Sequence, residues 1–169
     1  MAAKQQFCTF FVDGLCYGIE VARVQEIRNT TAMTRVPLAA RVVGGLVSLR
    51  GHIVTAVDLR RCLDLSDRPA DQPPVNVILR TADGGVSLLV DRMGDVLDVA
   101  EDDFELPPRT LNARSRELIR GAYRLDGGLL LVLNLDPVLN GIADDPSDQP
   151  GGVRPHIDGT RPFVSIGGA

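Results

Sequence analysis

Residues 45–64, GLVSLRGHIVTAVDLRRCLD, align without a gap on residues 121–140, GAYRLDGGLLLVLNLDPVLN, at an offset of 76. Both segments read as strand, hairpin turn, strand and short helix. Upstream, IEVARVQEI (19–27) matches LLVDRMGDV (88–96) at an offset of 69, and Val36-Pro37 has a counterpart in Leu106-Pro107. The landmarks keep one order in both halves, at a period longer than that of solenoid repeats. The chain is thereby constrained to two related β units of roughly 65 to 75 residues, each near the lower limit for a self-sufficient core and expected to lean on the other.

The runs between landmarks agree with a β reading. Most are short apolar stretches of four to eight residues, punctuated by glycine dipeptides, as in an all-β sandwich or barrel. QFCTFFV and LCYGIEV flank Asp13-Gly14, a two-residue hairpin signal. VNVILRT and VSLLVD flank Asp83-Gly84-Gly85, and IRGAYRL and LLLVLNL flank Asp126-Gly127-Gly128. LVSLR and IVTAV flank Gly51-His52, where the leading glycine suits a type II′ turn; this places Arg50 at a strand end. Helical signals are brief. DLRRCLDL (58–65) and DPVLNGI (136–142) each open on an aspartate suited to N-capping, and TLNARSRELIRG (110–121) holds room for another short helix.

Composition removes several classes of function. With 18 basic and 22 acidic residues the formal charge is −4, so no cationic field holds a nucleic-acid backbone, and nucleic acid is not an expected partner. The apolar runs fall short of the ~20 residues of a membrane span, and MAAKQQF lacks a signal-peptide core, so a cytoplasmic location without direct membrane insertion is expected. Three cysteines without CxxC spacing, Cys8, Cys16 and Cys62, argue against a disulfide framework or a zinc site and read as small apolar residues. The signatures of nucleotide-binding, hydrolytic and metal-dependent catalysis are missing, so no catalytic residue, metal or cofactor is assigned. His52 and His156 read as solvated side chains. Asp91 and Asp95 overlay on Ala22 and Glu26 and read as strand-end and turn residues. From residue 143 the composition turns to Pro, Gly and Asp, the mark of a flexible tail (143–169), ending in the small apolar patch of RPFVSIGGA.

YGIEVARVQEIR (17–28), TRVPLAARVVGGLVSLRGHIVTAVDLR (34–60), SLLVDRMGDVLDV (87–99) and GAYRLDGGLLLVLNLDPVL (121–139) resemble, in this order, the CheW family of chemotaxis coupling proteins. The motif LRGxIVxxxDLR is the most telling. Thr55 departs from the family, which often has proline there, and is expected to alter only a local edge. The resemblance implies an all-β fold of two small five-stranded SH3-like β-barrel subdomains packed together, with short helices. The CheW-like domain spans 7–142: a first barrel over about 14–72, a second over about 75–142, with strand 7–12 a candidate for sharing between them. It also implies a noncatalytic adaptor joining the cytoplasmic signalling tips of chemoreceptors to the regulatory domain of the histidine kinase CheA, in chemotaxis or, as an alternative, in a receptor-kinase pathway of surface motility or biofilm control. Carried over by position, the receptor-binding groove maps to Val24, Glu26, Gly45 and Arg50, between the barrels. Gly45 there lets a partner backbone approach, and Arg50 pairs with Glu26. The kinase-binding residues map to Leu15, Val21 and Ile27.

Overall fold

The computed structural model describes residues 3–29, 32–82 and 84–143. Asp83, His156 and all but the first residue of the expected tail lie outside the described residues. The strands are β1 (Lys4–Val12), β2 (Leu15–Glu20), β3 (Val24–Arg28), β4 (Met33–Thr34), β5 (Val43–Leu49), β6 (His52–Asp58), β7 (Val75–Leu79), β8 (Val86–Val90), β9 (Arg92–Ala100), β10 (Phe104–Glu105), β11 (Ile119–Leu125) and β12 (Gly128–Leu133). Three short helices join them: α1 (Leu59–Cys62), α2 (Ala113–Leu118) and α3 (Leu135–Ala143). The fold is all-β. Each of its two sheets holds five strands of five or more residues and one two-residue strand.

The duplication is carried through to the hydrogen-bond register. One sheet runs β3-β7-β8-β6-β5-β4 and the other β9-β1-β2-β12-β11-β10. Val43↔Val57 and Leu49↔His52 in the first become Ile119↔Leu133 and Leu125↔Gly128 in the second, with a bulge just before Gly45 and again before Gly121. The parallel pair Thr55↔Val86 recurs as Leu131↔Tyr17, and Val24↔Leu79 recurs as Met93↔Phe10. The first unit is thus continuous in the chain, residues 24–90. The second takes residues 92–133 and borrows its hairpin, β1 and β2, from the N-terminus. The cut expected near residues 72–75 therefore falls inside a sheet, because β7 and β8 pair with β3 and β6. Residues 4–20 belong wholly to the second unit.

Burial explains why the units cannot part. A central core of Phe10, Val12, Tyr17 and Ile19 from one sheet packs on Val57, Val77, Leu79, Leu88 and Val90 from the other. Each unit also encloses a small core of its own, around Val47, Val54 and Ala56 in the first and around their counterparts Tyr123, Leu130 and Val132 in the second. Strand β8, VSLLV, is buried at every position because its two faces serve two cores, and it reads as an unbroken apolar run.

Three local expectations change. Arg50 (φ 49°) and Gly51 (φ 82°) are themselves the central pair of the β5–β6 turn, with both φ values positive as in a type I′ turn. The expected Gly51-His52 turn shifts by one residue, and His52 opens β6. Asp58 caps α1, its carboxylate accepting from the Arg60 N–H at 3.0 Å, but α3 starts before Asp136. Its side-chain acceptor is Asn134, 76 residues after Asp58 and so the duplicate of that cap. Thr55 is not at an edge, since β6 has β5 on one side and β8 on the other. The helix expected within 110–121 forms over Ala113–Leu118, capped by Asn112.

Candidate functional site

Arg50 projects from the β5–β6 turn with 71% of its side chain exposed, and its Nη2 lies 3.3 Å from Oε2 of Glu26 on β3. The expected pair exists, yet it is not the principal restraint on the carboxylate. Arg28, two residues along β3, donates from Nε to Glu26 Oε1 at 2.6 Å. Among the described residues no group donates a hydrogen bond to Glu26 Oε2, so Arg50 acts on it through charge. The hydrogen bond from Arg28, followed by the charges of Arg28 and Arg50, holds the Glu26 carboxyl below its usual range. Arg28 escaped the sequence reading because alternation along a strand does not disclose which i, i+2 neighbours pair.

Beside Arg50 opens a cleft of about 340 Å³ lined by Gln25, Leu49, Ile53, Ile78 and Gly85. Leu49 and Ile78 are members of the first unit's own core, so the cleft is the open end of that small barrel. Ile53 is 72% exposed on its rim. Ile53 and Gly85 also line a neighbouring cleft of about 410 Å³, which continues past Thr55 to Leu139 and Ile142 of α3. Together they form a trough of mixed lining, apolar at Ile53, Val86, Leu139 and Ile142, with a guanidinium at one end.

The four residues assigned to the receptor groove do not converge on one point. Glu26 and Arg50 meet. Val24 packs against the central core at the start of β3. Gly45 lies five residues before Arg50 on β5, where a Cβ would come within 2.6 Å of the Thr34 carbonyl oxygen and 2.5 Å of Met33 Cγ. What its missing side chain admits is β4 of the same chain, not a partner backbone. Glu26, Gly45 and Arg50 all belong to the first unit, and the trough reaches the second only through α3. The residues assigned to the kinase also spread out: Leu15 (49% exposed) follows the β1–β2 turn, Ile27 (43%) is on β3, and Val21 is half-buried in a single 3-10 turn between β2 and β3.

The sequence reading missed a buried ionic node. Asp91, in the crossover from β8 to β9, accepts from Arg60 Nε and Nη2 at 2.9 and 2.7 Å and from Arg68 Nε at 3.0 Å. Its Oδ2 also accepts from the Asp13 backbone N–H at 2.9 Å. Burial pushes the Asp91 carboxyl up, but the hydrogen bonds from Arg60, Asp13 and Arg68 and the charge of Arg60 outweigh it and leave the group at about 2. The one available signal was the pair Asp58 and Arg60 in the DLR motif. Among the described residues no group of three or more His, Cys, Asp or Glu is placed to hold a metal ion, and no helix is long and apolar enough to cross a membrane.

Comparison with known proteins bears on this arrangement. The family model described as CheW-like domain matches residues 6–143. The chain is 27% identical over 134 residues to the chemotaxis protein CheW of Treponema pallidum, covering 77% of this chain and 79% of that one. It is equally 27% identical over 136 residues to the CheW of Bacillus subtilis, covering 80% and 87%. Among solved structures, the scaffolding protein TtCheW from Thermoanaerobacter tengcongensis superposes with a TM-score of 0.70 at 21% identity, over 79% of this chain and 90% of that one.

Proposed function

This chain belongs to the CheW-like family of chemotaxis scaffold adaptors, which are not enzymes, and from that premise we propose that it couples the cytoplasmic tips of chemoreceptors to the regulatory domain of the histidine kinase CheA. One observation carries the reading. Arg50 occupies a left-handed turn position that favours Asn, Asp or Gly, and it does so largely in solvent beside a trough rimmed by the exposed Ile53. Backbone strain at an exposed, long, charged side chain supports a binding role, since the turn by itself gains nothing from an arginine.

In this reading a receptor helical hairpin lays its apolar face along Ile53 and the trough, and Arg50, steadied by Glu26, contacts its polar flank. Val24 and Gly45 support that surface from beneath, Val24 by packing β3 on the central core and Gly45 by letting β4 close over β5. The kinase regulatory domain meets the exposed side chains of Leu15 and Ile27, with Val21 between their strands. The adaptor is then held at membrane-associated receptor arrays by its partners and not by a span of its own. Co-sedimentation of the purified chain with receptor cytoplasmic fragments and with CheA tests the proposal. Binding to each partner, weakened for receptor in Arg50→Ala, is the expected result, and binding to neither would overturn it.

A further inference from the structure

The central core between the two sheets is built of Val, Leu, Ile and a few aromatics. Apolar packing of this kind holds surfaces together without strongly selecting one orientation, and cores lose uniqueness before they lose stability. The Asp91 node is different in kind. From the first unit, Arg60 of α1 grips the carboxylate with two parallel hydrogen bonds and Arg68 adds a third. From the second unit, the β1–β2 turn presents the Asp13 N–H to Oδ2, and the Asp91 N–H donates to the Phe11 carbonyl at 3.0 Å. Arg60 Nη1 donates in turn to the Ser66 carbonyl at 3.1 Å, and Arg68 Nη1 approaches Asp58 at 3.7 Å. The arginine side chains are 10% and 7% exposed and Asp91 is 16% exposed. Every bond in this set is directional, and together they join the two units across one crossover.

The duplication supplies an internal control. The other crossover, from β2 to β3, has Ala22 where the overlay places Asp91, and Asp136 stands where Arg60 stands. The ion pair near that crossover, Arg120 to Glu20 at 3.4 Å with side chains 49% and 37% exposed, lies within the second unit and so does not take the place of the node. A fold that repeats its strand register this closely departs from its own symmetry at the node. Stability of each sheet does not require it, since the second sheet forms its equivalent strands and helix without one.

We propose that Arg60, Asp91 and Arg68 are positioning residues that fix the orientation of the two units, and so set the angle between the Arg50 trough on the first and the Leu15 surface on the second. An adaptor that holds two partners at once transmits control through that angle, so the node governs coupling and not affinity for the receptor, whose trough lies on the first unit. This consequence rests on the adaptor function proposed above, whereas the geometric claim does not.

The test uses the full chain carrying Arg60→Lys, which keeps the charge and loses the paired hydrogen bonds, with Asp91→Asn as a second variant. Residual dipolar couplings of backbone amides report the orientation of the units. In the unsubstituted protein both sheets are expected to fit one alignment tensor. In Arg60→Lys each sheet fits well by itself but the two tensors differ. Binding to receptor fragment alone stays within about twofold, while CheA activation in the ternary assembly falls about tenfold. A single shared tensor in both variants, with unchanged activation, would overturn the proposal. If the unsubstituted protein bound neither partner, the adaptor reading would fail while the dipolar couplings still decided the geometric claim.

Discussion

Gly45 and Gly121 occupy one position twice: a Cβ on either would lie 2.6 Å from the backbone carbonyl oxygen of a short crossing strand, that of Thr34 in the first unit and of Glu105 in the second. Each glycine follows a bulge and lets a two-residue strand close over its sheet. The equivalence separates structure from function at a position that the family resemblance assigns to receptor binding.

Gly121→Ala should therefore destabilise the protein as Gly45→Ala does, by ~1–3 kcal/mol, because the obstacle is backbone and cannot rotate away. Urea denaturation of the two variants measures this. A Gly45→Ala protein of unchanged midpoint that fails to bind receptor would show that the position acts on the partner directly.

Arg50→Asn should stabilise the fold and weaken function together. Asparagine tolerates the left-handed turn that costs arginine ~1 kcal/mol, and the exposed ion pair lost in exchange is of little weight. The expected outcome is a raised unfolding midpoint with reduced sedimentation of receptor fragments. A lowered midpoint would mean that the contact with Glu26 contributes more than its exposure suggests.

Asp91→Asn at neutral pH should cost ~3 kcal/mol, because two largely buried guanidinium groups lose their counter-charge. The same residue sets an acid limb. Its carboxyl lies at about 2 in the folded protein against 3.8 ordinarily, so its stabilisation is present in full above 3.8 and is lost as pH falls through about 2. Denaturation midpoints followed across that window should fall less steeply in Asp91→Asn than in the unsubstituted chain. Parallel curves would remove Asp91 as the cause.

Asn134→Ala should cost ~1 kcal/mol through loss of the α3 cap. Asp58→Ala should cost more, since Asp58 both caps α1 and faces Arg68 in the node. Equal losses in chemical denaturation would argue that Asp58 contributes only its cap.

Native thiols should label slowly. Burial pushes Cys62 up to about 12 and raises Cys8 and Cys16, which leaves little thiolate at pH 8. A thiol reagent should report slow modification before urea and three fast equivalents after it.

Much of the scaffold was legible in order. Glycine dipeptides located the hairpins at Asp13-Gly14 and Asp126-Gly127, and aspartate before an apolar run located α1. Errors gathered where one residue of register decides. The β5–β6 turn centres on Arg50-Gly51, the counterpart of Asp126-Gly127, and α3 is capped by Asn134, the counterpart of Asp58. The site was legible only as far as Arg50 and Glu26, whose pairing followed from family position. Arg28 was not, since alternation does not disclose which i, i+2 neighbours pair, and the Asp91 node was not, since hydrogen bonds between residues 31 or 78 positions apart leave no periodic trace.

What the amino-acid order alone determined is local and repeated: hairpins, caps and the correspondence of two halves, all written in turn residues and period-two alternation. Which hairpin belongs to which sheet was decided only by the tertiary structure. The N-terminal hairpin and residues 75–90 have interchangeable patterns, and each could pair beside β6 or β12 by sequence alone. Burial of both faces of β8, and of the N-terminal hairpin against the opposite sheet, selects the exchange. Directional bonds at Asp91 then hold the two units at one angle.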